Sequence, residues 1–185
     1  MKSQKEEFSR PVIRLVILGS FLTIINTIVA TFALGIFQGF IVSFTTPFAF
    51  TLGRMLYPRM FFSATVIYFP VVVTSLFTLN FGPPGYPKIL FLLSSIIYDI
   101  TAKFMRIQKH ENSKIPLYKL IIPTLFYPLG LLASAFFILK LFTFELPFVS
   151  QGIKGALLLV LFFIIMGTFA VFVCHRIYYR WLNRI

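Results

Sequence analysis

Five apolar runs, at about 12–40, 60–79, 88–105, 119–142 and 153–179, are each long enough to form a bilayer-crossing helix, and a shorter run, 44–57, follows the first. About 20 apolar residues span a hydrocarbon core, so the short run is the one whose status must be settled by other means. Charge settles it. If 44–57 is a short or tilted helix and the N-terminus is inside, 14 of the 17 Lys and Arg residues fall at the inner face, and only Lys88, Lys140 and Lys154 fall near the outer one. That is the distribution the positive-inside rule requires. Without this helix the 103–119 basic cluster would face outward while the N-terminal charges stayed inside. The expected fold is therefore an all-α integral membrane protein, a six-transmembrane-helix bundle with both termini cytoplasmic and a short helix 2. Residues 1–185 would form a single transmembrane helical domain of a multi-pass cell-membrane protein.

The net charge of +12 then reads as topology and as contact with a lipid bilayer carrying anionic headgroups, because the basic residues border apolar spans. A nucleic-acid surface would instead need one patch interleaved with stacking aromatics, so no nucleic-acid partner is expected. Six crossings in 185 residues leave little chain for a soluble domain. Any catalytic or energy-supplying unit would be a separate polypeptide. The apolar run after Arg14 exceeds a signal-peptide core and is read as a retained first helix. The lone Cys174 excludes an intrachain disulfide and reads as a packed helix residue.

Within the first run, Gly19, Thr23, Thr27, Thr31, Gly35 and Gly39 recur every four residues and would form one ridge of small side chains on a single helix. Small ridges let helix backbones approach closely in lipid, where the hydrophobic effect no longer drives association. The ridge serves either packing inside the bundle or docking of a separate membrane subunit, and Asn26 lies beside it. Pro47 fits the first turn of the short helix and Pro58 its end. Pro70, Pro123 and Pro128 imply bending of later helices. The segment 80–88, with three prolines and two glycines, reads as a stiff outer turn.

Carboxylates are scarce. Only Asp99 and Glu145 lie near membrane depth, where such a group is a functional candidate by default. Asp99 has Lys103 four residues later on the same helix face, so a structural ion pair is the first expectation and a proton or coupling site the second. His110 and His175 have no partner at metal-ligand or nucleophile-base spacing, and no phosphate-cradling Gly-Lys-Ser/Thr element exists. No enzyme activity, metal or cofactor is expected; a small membrane enzyme using Asp99 or His175 is the weakest alternative. The chain holds 25 Phe and 8 Tyr, enough to wall an outward pocket for a partly apolar ligand. Topology gathers Asn80, Tyr86, Lys88, Glu145 and Gln151 at that outer end, and these are the expected ligand-binding residues.

The chain resembles the substrate-binding S components of energy-coupling factor (ECF) vitamin transporters. The resemblance is architectural and covers the whole length: six helices, both ends cytoplasmic, a small-residue face on helix one, and Phe81-Gly82-Pro83 ahead of a helix that carries Asp99. The family's usual helix-one pair is two alanines four apart, where this chain has Thr and Gly. The resemblance implies capture of a small vitamin-like substrate from outside, with uptake driven by a transmembrane coupling subunit and partner ATPases. The ridge from Gly19 to Gly39 would be the subunit-docking face. The competing reading is a non-catalytic membrane assembly or scaffold protein that packs through the same ridge.

Overall fold

The computed structural model describes residues 2–32, 35–77, 86–107, 114–142 and 152–180. These form six α-helices and, among the described residues, no strand: α1 (Lys2–Phe32), α2 (Gly35–Leu56), α3 (Ser63–Phe77), α4 (Tyr86–Phe104), α5 (Leu117–Phe142) and α6 (Gly152–Arg180). The number and class of elements agree with the sequence, but one boundary does not. The 12–40 run is not one helix: α1 ends at Phe32 and α2 starts at Gly35. The run is longer than one crossing needs, so the chain can turn inside it without any polar residue to mark the place. Helix 2 is therefore not short. It has 22 residues, and Pro47 lies in its interior instead of its first turn.

α1 packs on α2 and α3, α3 on α2 and α4, α4 on α5, α5 on α6, and α6 back on α2. Successive helices alternate in direction: Arg14 near the start of α1 bonds Tyr57 just past α2, Asp99 near the end of α4 meets the start of α3, and Ile115 before α5 meets Tyr179 near the end of α6. This alternation collects Arg10, Arg14, Arg54, Arg59, Lys103, Arg106, Lys114, Lys119, Arg176 and Arg180 at one end of the bundle.

Close crossings explain several glycines. A Cβ on Gly19 would collide with the Ile67 carbonyl of α3, and one on Gly130 would sit 2.6 Å from Ser94 Cα of α4. The core between the helices is aromatic. Phe50 meets Tyr98 at a centroid distance of 5.5 Å, Tyr68 at 6.0 Å and Tyr127 at 6.1 Å, while Tyr98 Oη and Thr51 Oγ1 are hydrogen-bonded at 3.3 Å. Outward faces are also apolar: Phe21, Phe69, Leu158 and Ile165 are all more than half exposed. Among the described residues, two helical segments, Arg10–Ile28 and Val160–Arg180, suffice by length and composition to cross a membrane, and Phe40–Leu56 and Ser63–Thr74 are shorter apolar segments.

Candidate functional site

The most connected polar site lies where α2, α3 and α4 meet at the basic end. The first i to i−4 bond of α3 runs from Val66 N to Phe62 O, which leaves the preceding amides of the first turn without an intrahelical acceptor. Asp99, fully buried on α4, supplies the acceptors. Its Oδ1 accepts from Ala64 N at 3.0 Å and from Ser63 Oγ at 3.4 Å; its Oδ2 accepts from Thr65 N at 2.9 Å and from Thr65 Oγ1 at 2.8 Å. A carboxylate at a helix N-terminus is favoured by the helix dipole as well as by these bonds. Two donors on each oxygen fill the acceptor sites of a carboxylate. The expected pair with Lys103 is therefore replaced by a cap on α3, and the Lys103 ammonium lies instead 4.6 Å from the centroid of the Phe61 ring.

Arg54, only 4% exposed, works on the same turn from the other side by donating from Nη1 to the Met60 carbonyl. Its charge also acts on Asp99. The link between α2 and α3 is thus held through its carbonyl by a cation and through the following amides by an anion. In the sequence Arg54 counts only among the inner-face basic residues, and Ser63 and Thr65 carry no signal that was used. A Ser ahead of an apolar run is a recognised helix-start signal and would have marked Ser63 as part of a cap. Nearby, His175 Nε2 is 3.0 Å from the Ile115 carbonyl, while Ile115 N donates to Tyr179 Oη, so α6 clasps the entry to α5.

Of the expected ligand-binding residues, Asn80, Glu145 and Gln151 lie outside the described residues. Tyr86 and Lys88 fall on the first turn of α4, and their side chains are not among those described. The expected ridge is divided. Gly35 and Gly39 belong to α2, so the ridge is not continuous on one helix. Gly19 is buried against α3, Thr23 is half-buried, Thr27 is exposed, and the side chain of Thr31 is not described.

What remains of the ridge borders an open groove of about 400 Å³ between Ser20, Thr23, Ile24, Thr27 and Ile28 of α1 and Pro70 and Thr74 of α3. Its hydroxyls donate into their own helices: Ser20 to Val16 O, Thr23 to Gly19 O, Thr27 to Thr23 O and Thr74 to Pro70 O, at 2.6 to 3.0 Å. With those protons engaged, the groove offers mainly methyl and methylene surface. Such a surface suits an apolar helix better than a polar ligand. Comparison with protein-family models, with curated proteins and with solved structures finds no match.

Proposed function

We propose that this chain is a multi-pass membrane protein that captures a small, vitamin-like molecule from the outer face as the substrate-binding subunit of an ECF-type uptake transporter. A transmembrane coupling subunit and ATPases would supply the energy. The observation that carries the reading is the α1–α3 groove: the bundle leaves it unfilled, and it combines small residues with exposed Ile24 and Ile28 on an apolar exterior. A partner helix could approach the Thr23 to Thr27 backbone closely there. The outward apolar side chains of α1, α3 and α6 support a lipid surround, since an aqueous surface rarely exposes so much continuous apolar area. Phe50, Tyr68, Tyr98 and Tyr127 pack together in the core, and the expected ligand-binding residues Tyr86 and Lys88 stand at the start of α4, at the end away from the basic one.

The same packed aromatic core also fits a scaffold with no pocket, so the deciding experiment concerns the ligand. Full-length protein purified in mild detergent is denatured, and the released small molecules are identified by mass spectrometry. A single stoichiometric compound that rebinds the emptied protein supports the transporter reading. Protein that releases no small molecule but retains a membrane partner supports the scaffold.

A further inference from the structure

At the basic end, the sector formed by the α2–α3 link and the end of α4 differs from the rest of the rim. Arg59, Lys103 and Arg106 are exposed there, beside Phe62 at 50% exposure and Phe104 at 76%. Contacts join part of this group directly: the Lys103 ammonium lies over the Phe61 ring, the Phe61 and Phe62 rings are 4.3 Å apart, and Arg106 N donates to Lys103 O at 3.0 Å, while Phe104 adjoins Lys103 in sequence and Arg59 precedes Phe61 by two residues. Arg106 adopts φ 46°, a left-handed turn that ends the helix and keeps its cation within one turn of Lys103. The carboxylate beside them, Asp99, is fully buried and committed to the start of α3.

We propose that this α3–α4 sector is a binding site for the headgroup of an anionic phospholipid, with the phosphate among Arg59, Lys103 and Arg106 and the Phe62 and Phe104 rings against the upper acyl chain. The inference deepens the membrane reading above and rests on it. Cations clustered at a membrane surface draw anionic lipid, and exposed aromatic rings next to them have their natural medium at the headgroup boundary. A free phosphate would use the cations but leave both rings in water; a lipid uses both.

The test is native mass spectrometry of the full chain in mixed phosphatidylglycerol and phosphatidylcholine, with retained lipid counted by class. Wild type is expected to keep phosphatidylglycerol preferentially, with a loss of roughly tenfold or more in the triple variant Arg59→Gln, Lys103→Gln, Arg106→Gln. Phe104→Ser should weaken retention of the same lipid. The control variant Arg176→Gln, Arg180→Gln removes charge from α6, which packs on α2 and α5, and should change little. Equal loss in both charge variants would overturn the site in favour of diffuse charge attraction, and displacement of the lipid by excess inorganic phosphate would reassign it to free anions. Thermal midpoints close to wild type keep the comparison one of binding, since none of the three cations takes part in the Asp99 cap. Release of the chain from membranes by alkaline carbonate would overturn both this site and the membrane reading; firm retention without headgroup selectivity would overturn the site alone.

Discussion

Asp99 carries a consequence that its neighbour in sequence does not. Removing the carboxylate by Asp99→Ala leaves the buried amide of Ala64 and the half-buried amide of Thr65 without acceptors, and hydrogen bonds to a charged group contribute roughly 1.5–3 kcal/mol each, though not additively. The variant should lose about 2–4 kcal/mol of stability, read as thermal unfolding in detergent. Asp99→Asn should lose less, because one oxygen remains. Lys103→Gln removes only a cation–aromatic contact and should lose about 1 kcal/mol or less. Comparable damage from Lys103→Gln and Asp99→Ala would restore the local ion pair. The carboxylate itself was legible as a costly group in need of partners. Its true partners were not, because they lie 34 to 36 positions upstream and reach it only through the packing of α3 on α4. The four-residue rule sees one helix at a time, and so it selected Lys103.

Among the helices, the four-residue spacing of small side chains was a sound signal of close approach, but it could not say on how many helices the residues lay. No Gly, Pro or polar residue interrupts the sequence between Phe32 and Gly35, and periodicity continues through the break. The structure separates positions that the pattern treated alike. Gly19→Leu should unfold the protein or cost roughly 1–3 kcal/mol or more, because its first carbon already meets the Ile67 backbone. Thr27→Leu lies on the groove and is exposed, so the bundle should keep its thermal midpoint. If a membrane subunit docks in the groove, co-purification of that partner should fall sharply in Thr27→Leu. Loss of fold in Thr27→Leu would return this face to internal packing, and an undiminished partner yield would move the docking surface elsewhere.

For the whole molecule, the polarity of the two ends was legible from the placement of Lys and Arg, and the alternating helices gather ten of these residues at one end. For the other end the sequence offers a grouping of Asn80, Tyr86, Lys88, Glu145 and Gln151 by order along the chain, which gives the end of the bundle and not the side-chain geometry. Lys88 is the sharpest probe of that grouping. Once a ligand is known, Lys88→Ala should weaken its binding roughly tenfold or more if the ammonium makes a charge-assisted hydrogen bond in a dry pocket. Equal affinity in wild type, Lys88→Ala and Glu145→Ala would leave Lys88 as a headgroup anchor.

The orientation that all of these readings share can be tested without any ligand. If both termini are inside with six crossings, Asn112, between α4 and α5 in sequence, would be cytoplasmic and Gly85, ahead of α4, would be outside. Cys174 is buried and is replaced by Ser to give a clean background. A single cysteine at position 85 should then react with an impermeant maleimide in intact cells, and one at position 112 only after the membrane is opened. The direction follows from the charge distribution, since short loops rich in Lys and Arg stay on the cytoplasmic side. Labelling of position 112 in intact cells with protection of position 85 would invert the bundle. It would carry the basic end outward and place the proposed lipid site, the expected ligand end and the direction of capture on the wrong sides of the membrane together.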